Sequence, residues 1–164
     1  YDHLLFLFSL LLVVRTWKDI VKIVSTFTVA HTITLILAAL QVVHLPSWLV
    51  EVSIALSICY VAAENLLKKQ FNKRWLLTFA LGLIHGFGFA GVLAEMSLPK
   101  THMLTGLVTF NLGVEAGQLG VVIVLLPFLL WMRKAKWHPR FLQVGSVLIF
   151  LLGLTWAVQR FLTM

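Results

Sequence analysis

The stretch Phe110-Asn111-Leu112-Gly113-Val114-Glu115-Ala116-Gly117-Gln118 decides how the rest of the chain is interpreted. It lies inside an apolar run over about 103–132, which is long enough to cross a lipid bilayer. Asn111, Glu115 and Gln118 follow at intervals of four and three residues, so they share one face of a helix. Because a carboxylate facing lipid is costly, this face is predicted to turn toward the interior of a helix bundle and to find a partner there.

Glycines close to two polar residues predict tight helix packing. Gly113, Gly117 and Gly120 form a small-residue stripe beside Glu115, and such a stripe favours close approach of a neighbouring helix. Gly86, with further glycines at 82, 88 and 91, surrounds His85 in the same way.

The composition indicates an integral membrane protein. Of 164 residues, 60% are hydrophobic, and the mean hydropathy is +0.98, whereas a soluble domain is about 45–50% apolar. Cys59 is the single cysteine, so a disulfide framework within the chain is excluded. The first residue, Tyr1, is followed at once by an apolar run, and we expect an upstream segment in the complete protein.

The hydropathy pattern predicts an all-α fold, a polytopic membrane bundle of six transmembrane helices in one transmembrane domain over residues 1–164. The predicted segments are about 2–14, 21–42, 47–67, 74–94, 103–132 and 141–163. Pro127 lies late in the fifth segment, whose length predicts a kink or a strong tilt.

The net charge of +7 is explained by topology. Lysine and arginine concentrate in the loops 15–20, 68–73 and 133–140. In the intervening loops, Lys100 is the only lysine or arginine. The positive-inside rule therefore places these three loops in the cytoplasm and Lys100 outside. The partner expected from this charge distribution is a lipid bilayer, and nucleic acid is not expected.

Six ionisable residues are predicted at outer or middle membrane depth, and each has an ordinary explanation when considered alone. His31 or His85 could simply hydrogen-bond across helices, Glu51 could extend to the outer interface, and Asn111 or Gln118 could hold two helices together. The full ionisable set is Asp2, His3, His31, Glu51, His85 and Glu115.

Considered together, these residues indicate an ion site or an ion path. Imidazole with carboxylate suits a divalent transition-metal ion, with Ni, Co, Zn and Cu not distinguished. We expect His31, His85 and Glu115 to converge in the bundle core. Glu51 and the pair formed by Asp2 and His3 are expected on its outer side.

Five motifs in order resemble the HupE/UreJ family, the hydrogenase- and urease-accessory membrane proteins regarded as nickel or cobalt permeases. The motifs are Asp2-His3-Leu4-Leu5-Phe6, Phe27-Thr28-Val29-Ala30-His31-Thr32, Val50-Glu51 followed by Ile54-Ala55-Leu56-Ser57, Gly82-Leu83-Ile84-His85-Gly86-Phe87-Gly88-Phe89-Ala90, and the stretch 110–118. The chain looks closest to the branch with an N-terminal extension before the first motif.

The resemblance implies secondary metal uptake across a bacterial-type inner (plasma) membrane. It implies that the six ionisable residues handle the metal, with Asn111 and Gln118 as helpers.

Two other functions compete with a permease. One is an intramembrane metal-dependent hydrolase with zinc held by His and acid ligands. It ranks second because the sequence has neither an H-E-x-x-H motif nor a nucleophile elbow. The other is a metal sensor or a structural subunit of a partner complex. The sequence leaves the choice between transport and catalysis open, and it leaves a homo-oligomer open.

Overall fold

The computed structural model describes residues 2–14, 16–67, 73–89 and 103–163, and in these residues the regular structure is entirely helical. The six helices are α1 (Asp2–Leu11), α2 (Trp17–Ala39), α3 (Ser47–Leu67), α4 (Arg74–Phe87), α5 (Met103–Met132) and α6 (His138–Leu162). The predicted all-α bundle is therefore confirmed. Four helices, α2, α3, α5 and α6, are long and apolar enough to span a membrane, and α1 and α4 are shorter apolar helices.

Local capping explains where α2 and α6 depart from the apolar segments. α2 begins four residues before the predicted segment because the Thr16 side chain accepts a hydrogen bond from the backbone N–H of Asp19 at 3.2 Å, as an N-cap does. α6 begins at His138, with a proline in its first turn. Proline is favoured there because the backbone N–H groups of the first turn have no acceptor within the helix, so the absence of an N–H breaks no hydrogen bond.

Two helix pairs form the framework of the bundle, and glycine allows close contact in both. α2 packs on α4 and α3 packs on α6. A Cβ atom on Gly82 of α4 would lie 2.9 Å from the backbone oxygen of Phe27 on α2, and one on Gly153 of α6 would lie 2.9 Å from Cys59 Sγ on α3. The prediction of tight packing around His85 is supported, and Cys59 is a free, buried packing residue.

α1 is a short core helix that contacts α3, α5 and α6. Phe6, Leu7, Leu10 and Leu11 are all buried, as is the turn that follows. At that end of α1, the Arg133 guanidinium donates to the backbone oxygen of Val14. The C-terminal ends of α1 and α5 therefore lie together.

The prediction for the glycine stripe of α5 has no support in the described residues. A Cβ atom on Gly113, Gly117 or Gly120 would meet nothing within 4 Å in the described part of the chain. Among the described residues no neighbour covers the face of α5 that carries the stripe, and α5 packs through α2 and α1. The glycine spacing shows that these residues share one face of α5, but it does not show whether another helix packs on that face.

Candidate metal-binding site

Three histidines from three helices meet in the core of the bundle. His3 of α1 lies with its Nε2 atom 3.3 Å from Nε2 of His31 on α2. The His3 ring also contacts the ring of His85 on α4, with ring centroids 4.9 Å apart. His31 and His85 are fully buried. His3 thus joins two imidazoles that the sequence predicted at the centre of the site.

Phenylalanine rings surround this histidine cluster (His3, His31 and His85). Phe27 lies one turn before His31 on α2, and its ring centroid is 5.3 Å from that of His85. Phe6 lies 4.7 Å from His85, and Phe89 lies 5.0 Å from His3. Such a shell disfavours charge on the fully buried imidazoles of His31 and His85, so these two rings are suited to be neutral, ligand-competent histidines.

Each of the two buried imidazoles has one polar partner outside the cluster. His31 Nδ1 lies 2.8 Å from Asn111 Oδ1 on α5, and His85 Nε2 lies 2.8 Å from Ser57 Oγ on α3. These contacts connect the cluster to two further helices. The predicted helper role of Asn111 thus has a structural counterpart, whereas Ser57 was not among the predicted site residues.

At the end of the bundle where α1 and α3 begin, Arg160 binds two of the predicted acidic residues. Its Nη2 atom lies 2.6 Å from Asp2 Oδ2, and its Nε atom lies 3.6 Å from Glu51 Oε2. Its Nη1 atom also donates to the backbone oxygen of Glu51 at 3.1 Å. The Asp2 and Glu51 carboxylates are therefore compensated by an internal cation rather than by the histidines.

The chain matches the family model described as HupE / UreJ protein over residues 1–160. The chain belongs to the HupE/UreJ family. The predicted family resemblance is confirmed, and it agrees with a membrane protein whose histidine and acid motifs lie in the bundle. Neither the curated proteins nor the solved structures include a significant match.

In this HupE/UreJ protein, Glu115 lies at a different level from the histidine cluster. Its Oε1 atom accepts a hydrogen bond of 2.9 Å from Ser25 Oγ on α2. Ser25 is six residues before His31, about 9 Å along the helix axis. Gln118 is buried in the same region, and its Oε1 atom has no hydrogen-bond partner among the described residues.

The structure divides the predicted site residues into three groups along the bundle. His3, His31, His85 and Asn111 form the core, Asp2 and Glu51 bind Arg160, and Glu115 pairs with Ser25. His3 was expected on the outer side with Asp2, but it contacts His31 and His85 because the packed face of α1 turns it toward them. Within the described residues, no group of three or more His, Cys, Asp or Glu side chains has an arrangement that could hold a metal ion. Metal binding by these residues therefore stays a prediction.

A second polar cluster lies at the opposite end of α3. Arg74 of α4 forms an ion pair of 3.2 Å with Glu64 and donates to Asn65 Oδ1 at 3.0 Å. Asn65 in turn donates to the backbone oxygen of Ser9 on α1 at 2.8 Å. The sequence alone predicts that Glu64 and Asn65 meet Lys68 and Lys69 or lipid headgroups, and the two lysines lie outside the described residues. These contacts connect α1, α3 and α4 at the end predicted to face the cytoplasm.

Proposed function

We propose that this HupE/UreJ protein is a secondary transporter for a divalent transition-metal ion, with nickel or cobalt the expected substrate. The observation that carries the proposal is the meeting of His3, His31 and His85, from three different helices, in an aromatic core. Buried imidazoles that face one another are typical of sites for first-row transition metals. The HupE/UreJ family is associated with nickel and cobalt accessory transport, which supports the same conclusion.

The three groups of polar residues suggest an order along a path. Asp2 and Glu51 together carry one negative charge more than Arg160 balances, and this excess attracts the cation at the outer end. The histidine cluster then binds the ion, and Glu115 receives it further inward. A carboxylate at that depth offsets the positive charge of the ion in a medium where charge is costly. Neutral imidazole serves as the ligand, so binding should weaken as the pH falls and the rings become protonated.

The proposed transporter is a multi-pass protein of a bacterial-type inner membrane. The loops 15–20, 68–73 and 133–140 face the cytoplasm in this arrangement. Six membrane crossings require that α1 and α4 cross together with the four long helices. α1 has 10 residues and is short for a crossing, and its buried residues pack against other helices of the bundle.

Metal loading of purified protein tests the site. The wild-type protein, His31→Ala and His85→Ala are incubated with nickel or cobalt, and the bound metal is measured after removal of free ion. His44→Ala is the matched control, because His44 lies in an exposed loop. We expect about one ion in the wild type and the control, and at least tenfold weaker binding in each core variant. Equal binding in all four proteins would contradict the proposed site.

A further inference from the structure

The hydrogen bonds of Ser57 determine which nitrogen of His85 carries a proton. Ser57 Oγ lies 2.6 Å from the backbone oxygen of Ile54 and 2.8 Å from His85 Nε2. A hydroxyl has one proton, and a carbonyl oxygen can approach so closely only by accepting it. Ser57 therefore has only lone pairs left for His85, and His85 Nε2–H donates to Ser57.

The other nitrogen of His85 is consequently an unprotonated acceptor. His85 Nδ1 is buried and has no hydrogen-bond partner among the described residues. A buried acceptor without a hydrogen-bond partner destabilises the folded state, and folded proteins contain few such atoms. A buried lone pair without a described partner, on a ring that packs against the His3 imidazole, has the chemistry of a metal-ligand atom.

Asn111 sets the tautomer of His31 by the same logic. The Asn111 Oδ1 atom, 2.8 Å from His31 Nδ1, can only accept, so Nδ1 carries the proton of the neutral ring. His31 Nε2 is then the lone-pair nitrogen, and His3 Nε2–H donates to it across 3.3 Å. The two buried imidazoles each present one lone pair, and His3 satisfies one of them.

We propose that Ser57 and Asn111 are positioning residues whose hydrogen bonds make His85 Nδ1 and His31 Nε2 the metal-binding atoms. The assignment rests on the proposed metal transport. A cation bound at His31 Nε2 would replace the hydrogen bond from His3, and the His3 ring would keep its proton and turn away. Two neutral imidazole nitrogens favour nickel, cobalt, copper or zinc over magnesium or calcium, which prefer oxygen ligands.

The tautomers are measured directly by nitrogen NMR of the metal-free protein labelled with ¹⁵N-histidine, with signals assigned from His31→Gln and His85→Gln. We expect protonated Nε2 and unprotonated Nδ1 in His85, and the reverse in His31. The opposite tautomer in either ring would overturn the assignment. The tautomers are measured on the wild-type protein, so only the two assignment variants, His31→Gln and His85→Gln, also need to fold.

Variants of Ser57 test the consequence for metal binding. Ser57→Ala should shift the tautomer of His85 and weaken nickel binding by about 10–100-fold, the range found for groups that orient metal ligands. Ser57→Thr keeps the hydroxyl and should restore both. Ser53→Ala is the matched control, since Ser53 lies one turn earlier on α3 and donates only to its own helix at 2.7 Å.

The outcomes separate the two ideas. Unchanged His85 tautomer and unchanged nickel affinity in Ser57→Ala would overturn the positioning role while the proposed transport stands. The expected tautomers in a wild-type protein that binds neither nickel nor cobalt would overturn the proposed function, and with it the assignment of ligand atoms.

Discussion

Glycine at position 86 is required for the contact between α2 and α4 beside His31. A Cβ atom there would collide with Thr34 Oγ1 and with the backbone oxygen of His31. Backbone has little room to move in a packed helix pair, and overpacking of this kind commonly costs about 1–3 kcal/mol. We predict that Gly86→Ala lowers the thermal unfolding temperature clearly in detergent.

Gly117→Ala is the matched control for that experiment. A Cβ atom on Gly117 meets nothing within 4 Å among the described residues, so the variant should keep the wild-type unfolding temperature in a monomer. A stable Gly86→Ala variant would refute the close-packing account of α2 and α4. A damaged Gly117→Ala variant would show that this face of α5 is covered, by a second copy, another chain or a part of this chain outside the described residues.

Glu115 provides a second prediction at the scale of one residue. Glu115→Gln keeps the side-chain volume and can still accept the hydrogen bond from Ser25, but it loses the charge that compensates a cation. We predict that metal binding is nearly abolished while the fold survives, as measured by metal analysis together with thermal unfolding.

Asp19→Asn is the control for the change from acid to amide, since Asp19 is exposed near the start of α2. Wild-type metal binding in Glu115→Gln would remove Glu115 from the proposed path and leave it as a structural partner of Ser25.

Individual site residues were predictable from the sequence to different degrees. His31 and His85 follow from the cost of an ionisable group at membrane depth, which requires no knowledge of neighbours. Arg160 was missed because it lies near the end of the last apolar segment, where a basic residue usually extends to the interface. A signal was nevertheless present, since two acidic residues at the predicted outer end, Asp2 and Glu51, had no basic partner nearby in sequence.

At the scale of elements, Arg160 connects three helices through its contacts with Asp2 of α1 and Glu51 of α3. The Arg160 and Asp2 side chains are only 23% and 21% exposed, so solvent screens this pair less than a fully exposed one. We predict that Arg160→Gln destabilises the protein by about 1 kcal/mol, the upper part of the range for exposed ion pairs. Chemical or thermal unfolding measures the change.

Arg140→Gln is the control for Arg160→Gln, because Arg140 is exposed at the other end of the same helix. A partial loss in Arg160→Lys would fit the account, since lysine keeps the charge but not the forked contact. Equal stability of Arg160→Gln and the wild type would mean that the three helix ends are held by packing alone.

The bounds of α3 and α5 were predictable because their apolar segments end in loops with clear polar or proline signals. The starts of α2 and α6 were not, because residues 17–20 and 138–140 contain charged and polar side chains that interrupt the apolar segments. These residues are helical through a side-chain cap in α2 and a proline in the first turn of α6. Hydropathy predicts which part of a helix can lie in lipid. The capping residues determine how far the helix extends beyond that part, into the membrane interface. The burial of α1, which moves His3 into the core, depends on tertiary contacts that no local pattern contains.

At the scale of the whole molecule, the ends of the helices alternate as the charge pattern predicts. Asp2, Glu51 and Arg160 bring the starts of α1 and α3 to the end of α6, while Arg133 at the end of α5 meets the end of α1. The alternating direction of the helices does not show which end of the bundle faces the cytoplasm. That orientation comes from the basic loops and the positive-inside rule.

Single-cysteine labelling tests the orientation. Ser47→Cys at the start of α3 and Lys134→Cys after α5 are both exposed positions, and buried Cys59 should remain unreactive in intact cells. We predict that a membrane-impermeant thiol reagent added outside labels position 47 but not position 134. The reverse labelling would invert the topology and place the basic loops outside.

The central claim is that the histidine cluster carries a transition metal across the membrane. The most direct measurement is nickel or cobalt flux into liposomes that contain the purified protein, detected with a metal-sensitive dye inside. We predict saturable flux for the wild-type protein and for His44→Ala, and flux reduced at least tenfold in His31→Ala and His85→Ala. Flux that is absent in the wild type, or that is equal in all four proteins, would contradict the account.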